Sequence, residues 1–155
     1  MASVYANWVD GTAVVAQREG YYLSKTMGGK GATFRSHTAP GTDGEWFQWA
    51  IPTPVLVAGK RSSVKKVFVL YATDGTAKVQ AVHVYDSDVR IGTFDNLHLS
   101  GNHSSDLDNM NSWNVPEHQM KFGLGISVLV DFGPPSKVGV PGITFYSAGA
   151  DFVVP

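Results

Sequence analysis

Polar and apolar residues alternate along most of this chain, most clearly over residues 118 to 132, HQMKFGLGISVLVDF. His118, Met120, Phe122, Leu124, Ile126, Val128, Val130 and Phe132 share one face, opposite Gln119, Lys121, Gly123, Gly125, Ser127, Leu129 and Asp131. A period of two belongs to a strand with one buried side, whereas a helix would scatter these apolar residues round its circumference. The run far exceeds the usual strand of about 5–6 residues, so a bend or bulge near Gly123 or Gly125 is predicted, letting the segment serve two sheets. Those glycines also leave a bare strip of backbone that another chain or a flat ligand can approach.

Residues 64 to 86, VKKVFVLYATDGTAKVQAVHVYD, form a second unit. Runs rich in β-branched and aromatic residues flank Asp74-Gly75, a pair suited to a two-residue type I′ turn, which predicts a hairpin. In its second arm Ala77, Val79, Ala81, His83 and Tyr85 share a face, which points His83 to the core side. Shorter strands are predicted at 3–9, 12–17, 20–26, 32–37, 45–50, 54–58, 89–94, 96–99, 112–115 and 143–153. Turn signals separate them, among them Asp10-Gly11, Gly28-Gly29-Lys30-Gly31, the stretch 40–44, Gly133-Pro-Pro135 and Pro141-Gly142. No amphipathic helix and no repeat of fixed period stands out, which weighs against a trefoil or a propeller. Many short strands with 17 glycines and 8 prolines predict a single-domain, all-β antiparallel sandwich of jelly-roll type.

Composition narrows the partners. A chain of 155 residues suits one domain, and its 16% charged content lies well under the roughly 25% of an average domain. Low charge favours self-association as a homo-oligomer, or a neutral ligand. The net charge is -1 and the basic pairs Lys60-Arg61 and Lys65-Lys66 stand apart, so a nucleic-acid partner is not expected. Without cysteine there are no disulfides, thiolate metal sites or Cys nucleophile. The first ten residues lack the basic and apolar regions of a secretory signal, and no window approaches the ~18 apolar residues of a membrane span. A soluble cytoplasmic product is expected unless a non-classical route exports it.

The strings SVYANWVDGTAVVA, IPTPVLV, VHVYD, LSGNHS, FGLGISVLVDFG and GADFVVP resemble a family of small, uncharacterised all-β proteins found mainly in bacteria. The resemblance spans essentially the whole chain. It implies a one-domain β fold and carries over no catalytic or binding residue.

The candidate chemistry gathers in HLSGNHSSDLDNMNSW, residues 98 to 113, a polar loop of about a dozen residues between strands, and loops of that length are often functional. Asp106, Asp108, Ser112, Asn114 and Glu117 occupy places one, three, seven, nine and twelve of the EF-hand calcium pattern. Met110 and Asn111 stand where that pattern needs an oxygen ligand and a glycine, and no helices flank the loop. His98 and His103, with Asp95 or Asp106 and with Asp108 nearby, offer nitrogen and oxygen ligands to a transition metal, which His83 joins if its strand lies alongside. No His-x-His pair presents two imidazoles on one strand face. The plain alternative is that these histidines, aspartates and asparagines bond to the loop's own backbone.

Sugar binding ranks first among functions, because it needs flat apolar faces together with short, rigid polar groups. His103, Asp106, Asp108, Asn109, Asn111 and Trp113 have that composition, as does Glu45-Trp-Phe-Gln-Trp49, where Trp46 and Trp49 fall on opposite strand faces and one must be exposed. An exposed tryptophan serves an oligomer contact equally well. No Gly-x-Ser-x-Gly elbow occurs, and Gly28-Gly-Lys-Gly31 lacks both the ending and the helix of a phosphate loop. The reading is a non-enzymatic, lectin-like module for a neutral glycan or other small polar ligand, with calcium the one cofactor weighed. Two alternatives stand beside it. One is a self-assembling structural protein using its sheet edges, the Gly123/Gly125 strip and the ending Phe152-Val-Val-Pro155. The other is a metal-dependent enzyme, or one using His83 or His98 as acid or base.

Overall fold

The computed structural model describes residues 1–18, 24–36, 44–134 and 139–155. In chain order the strands are β1 (Ser3–Asp10), β2 (Val15–Ala16), β3 (Ser24–Gly28), β4 (Gly31–Arg35), β5 (Glu45–Ile51), β6 (Leu56–Val57) and β7 (Lys60–Arg61). They continue with β8 (Ser63–Asp74), β9 (Lys78–Asp86), β10 (Val89–Phe94), β11 (Asn102–His103), β12 (Ser112–Gln119), β13 (Leu124–Asp131) and β14 (Gly142–Val154). Residues 20–23 and 37 of two predicted strands, the turn signal at 40–43 and Pro135 lie outside the described residues. Among the described residues the only helical element is a 3-10 turn, Gly11–Ala13, and no helix is long and apolar enough to cross a membrane. That turn replaces the first half of the predicted strand 12–17, because the Asp10 side chain accepts from the Thr12 amide and bends the chain.

Two antiparallel sheets pack face to face. In the first, the long strands β8 and β14 lie side by side; β11 and β12 flank β8, β1 and β4 share the far edge of β14, and β3 lies outside β4. The second runs β10-β9-β13-β5-β2, and β6-β7 form a separate small ribbon. Phe34 and Phe145 from the first sheet meet Phe47 and Trp49 from the second, with ring centres 4.7 Å (Phe34–Phe47), 5.1 Å (Phe47–Phe145) and 4.8 Å (Trp49–Phe145) apart. Each such ring contributes roughly 1.5–3 kcal/mol by leaving water, as do the many buried valines and isoleucines around them, and together they bond the sheets. In the apolar ending Phe152 belongs to the core and Val154 is buried, while Val153 is half-buried and Pro155 exposed.

The stretch 118–132 does serve both sheets. Residues up to Gln119 pair with β8 in the first sheet, and from Leu124 onward the chain pairs with β5 and β9 in the second. The crossing at 120–123 interrupts the alternation, so Phe122 is 72% exposed and His118 half-buried, where an unbroken strand would bury both.

Residues 64–86 do not form the predicted hairpin. β8 belongs to the first sheet and β9 to the second, so the turn at Asp74-Gly75 carries the chain from one sheet to the other. It closes with the Ala77 amide donating to the Asp74 carbonyl, and the Thr76 hydroxyl is tied to the carbonyls of Phe132 and Pro134. The two-residue turn with positive φ at both centres occurs at Ala58-Gly59, joining β6 to β7. His83 also faces the other way from the prediction. The register of β9 against β13 slips at Gln80, a bulge that reverses the phase, so Val82 and Val84 enter the core while His83 lies on the outer face.

One buried carboxylate holds the crossing at 120–123 in place. Asp86, at the end of β9 and 2% exposed, accepts from His118 Nε2 (2.8 Å) and from the amides of Lys121, Phe122 and Gly123 (2.8, 3.0 and 3.1 Å). Burial pushes its carboxyl up, but the His118 bond and the three amides together outweigh that and hold it below the usual carboxylate range. A lowered folded pKa adds stability above the unfolded value of about 3.9, lost as the pH falls towards the folded one. Asp86→Ala is expected to cost roughly 3 kcal/mol at neutral pH, because four donors lose their partner. Urea unfolding of both proteins at pH 7 and pH 3 checks this; the gap between them should narrow in acid.

Candidate functional site

The polar loop lies along the open side of β8, because β11 pairs there with Tyr71 and Ala72 and β12 pairs further along. Its centre is Asn111, fully buried. The Asn111 amide donates to the carbonyls of His103 (3.2 Å) and Asp106 (2.7 Å), and its oxygen accepts from the Asp108 amide and the Ser112 hydroxyl (2.9 Å each). Asp108 in turn accepts from the Met110 amide. His103 donates to the Ser100 carbonyl at 2.7 Å, and its ring packs on Tyr71, whose hydroxyl donates to the Met110 carbonyl. Burial first, and the Asp108 charge second, push the Tyr71 hydroxyl well above its ordinary pKa, so it stays a donor.

With those groups committed, the loop presents Ser105, Asp106 and Leu107 outward. They meet Trp8 from β1, Leu70 from β8 and Ser147 from β14 around a depression of about 340 Å³ on the outer face of the first sheet. The place of Trp8 follows from a glycine. Trp8, Gly149 and Phe68 are register partners on adjacent strands, and a Cβ on Gly149 would lie 2.5 Å from the indole. Only a bare backbone lets the indole close over β14 and stack on Phe68, 5.1 Å away. Trp8 stays 38% exposed and Leu107 54%. Trp8, Leu70 and Leu107 thus form apolar walls, and Asp106 and two hydroxyls supply hydrogen bonds.

The structure separates the other residues singled out from sequence. Trp49 and Trp113 are core residues, 3% and 6% exposed, so neither can stack on a ligand. Asn111 and His103 hold the loop together. Asp108 and Asn109 are exposed beyond the depression. Trp46 is half-buried on the outer face of the second sheet, away from the loop, with its ring 4.8 Å from that of His83. There His83 donates to Asp95 at 2.7 Å, and Gly125 forms part of a second depression with Gln48, Tyr85, Ser87, Asp88 and Ser127. Among the described residues no three His, Asp or Glu side chains come together to hold a metal ion, and His98 is exposed. Trp8, Leu70 and Ser147 escaped sequence reasoning because they come from three distant strands. The signal was Gly149, a glycine in mid-strand in SAGADF.

Fold and site together define an antiparallel β-sandwich of jelly-roll type with an amphipathic depression on one sheet face. The chain belongs to the family of unknown function DUF6623, matched over residues 6–145. Among solved structures it is similar to the xylan-binding module CBM15, with a TM-score of 0.52 and 15% identity over 98% of this chain and 97% of that one. It is also similar to CBM35 from Paenibacillus barcinonensis, with a TM-score of 0.36 and 13% identity over 96% and 97%. No curated protein matches it in sequence.

Asn111→Ala is expected to destabilise the protein by about 2–4 kcal/mol, since it strips partners from four buried or half-buried groups. Asn109→Ala, on the exposed side of the same loop, should stay within about 0.5 kcal/mol. Chemical denaturation of the two variants distinguishes a loop built on one residue from a generally polar one.

Proposed function

We propose that this protein is a non-catalytic carbohydrate-binding module that takes a neutral glycan in the depression beside Trp8. The observation that carries the reading is the make-up of that depression: apolar walls from Trp8, Leu70 and Leu107 next to Asp106, Ser105 and Ser147. A sugar ring offers a C–H face and a rim of hydroxyls, and such a surface answers both at once. The size falls within the usual range for small-ligand sites. The likeness to a xylan-binding module supports the fold as one that accommodates sugar binding and makes xylan a sensible first ligand. Glycoside hydrolysis uses a pair of carboxylates, and Asp106 is the only carboxylate among the described residues lining the depression, which favours binding over hydrolysis.

Isothermal titration against xylan and a panel of neutral glycans tests this. Trp8→Ala should weaken binding by about a hundredfold or more, as expected for an aromatic anchor worth upwards of 2 kcal/mol. Asp106→Ala should cost about tenfold, the value of a hydrogen bond to a charged group, while leaving thermal stability unchanged. Silence across the panel, or full binding by both variants, would falsify the reading.

A further inference from the structure

Two further hollows lie along the same sheet face as the depression beside Trp8. From Leu70 and Ser147 the next outward positions on β8 and β14 lead to a second hollow of about 160 Å³, lined by Ala72, Asp74, Gly142, Thr144, Tyr146 and Arg35 among others. Thr144 also lines a third, of about 250 Å³, with Thr26, Lys30, Thr33 and the glycines of the β3–β4 turn. The Thr33 and Thr144 hydroxyls hydrogen-bond at 2.8 Å across the join. All three hollows open on the outer face of the first sheet.

The dimensions follow from strand geometry. Leu70 to Asp74 spans about 13 Å along β8, and Thr144 through Thr33 to Thr26 adds two strand spacings, about 10 Å. That exceeds one sugar ring several times over. Ala72 is small, the Arg35 side chain lies flat over Gly142 with its Cγ 2.9 Å from where a Cβ would stand, and hydroxyls recur along the path. Charge is sparse: Arg35 and Asp74 neutralise each other at 2.8 Å, leaving Asp106 near one end and Lys30 near the other.

We infer that the three hollows act as one groove for an extended, neutral, unbranched oligosaccharide, with Trp8 anchoring one end and the β3–β4 turn receiving the other. This inference rests on the sugar-binding reading and adds the length of the ligand. Polyanionic chains fit poorly, since the described residues along the groove offer no row of unpaired cations. The Trp8 site becomes the first of several subsites.

The test is titration with ladders of xylo-, cello- and manno-oligosaccharides from disaccharide to hexasaccharide, on the full chain and two variants. In the preferred ladder, affinity should rise by at least about tenfold with length, roughly one good subsite's worth. Thr144→Val combined with Tyr146→Ala should return the hexasaccharide to disaccharide affinity while leaving the disaccharide unaffected, which also shows that the variant is folded. Trp8→Ala should weaken binding by about a hundredfold or more at every length. Affinity independent of length, or a double variant that binds the hexasaccharide normally, overturns the groove while the Trp8 site survives. No binding at any length removes both readings.

Discussion

Two glycines make room for one carbonyl oxygen, and the first sheet is built round that fit. A Cβ on Gly11 would lie 1.9 Å from the Phe145 oxygen, and one on Gly31 would lie 2.0 Å from it. The obstacle in both cases is backbone, which cannot swing aside as a side chain can. At this point the register of β14 against β8 slips between Phe145 and Ser147. β4 pairs with β14 up to Phe145, β1 takes over from Ser147, and the 3-10 turn occupies the handover. The bulge also places Tyr146 and Ser147 on the outer face, so the irregularity that lets two strands share one edge supplies two lining residues of the surface hollows.

The β-sandwich was legible because it rests on a local property, the period of two, which survives in most strands whatever their partners. What failed was what depends on distant partners. The Asp74-Gly75 pair announces a reversal but cannot say whether the returning strand pairs about 5 Å away in the same sheet or crosses about 10 Å to the other. Likewise His83 was placed by counting in twos through Gln80, and a bulge there costs one count and inverts the face. The crossing at 118–132 was readable for the opposite reason: a run too long for one strand forces a break whichever partners it has.

The polar loop shows the same division. Its composition suggested a site, yet most of that polarity is internal: Asn111, His103 and Asp108 satisfy the backbone of a segment that pairs with a sheet over only part of its length. A loop carrying so many carbonyls and amides at the edge of a sheet must meet their hydrogen bonds or stay disordered. Counting polar residues cannot separate those used up in this way from those left over. Position can: of the exposed Asp106, Asp108 and Asn109, Asp106 alone lines the depression beside Trp8. The aromatic partner was equally hidden, since Trp8 lies almost a hundred residues earlier and its seat is marked only by a glycine in another strand.

That internal consumption of polar groups has a bearing on binding. A flexible polar loop would have to be ordered by its ligand, at about 0.5–1.5 kcal/mol for each side chain immobilised. Here the Asp106 carbonyl is already held by Asn111, and the Trp8 ring is already stacked on Phe68. A neutral ligand brings no strong Coulomb attraction to offset an ordering cost, so preorganisation matters more for it than for an ion. Under the proposed sugar-binding reading, the low charge of the chain and the tight internal bonding of its loop go together: a surface that is to recognise shape and hydroxyls must hold its few polar groups still.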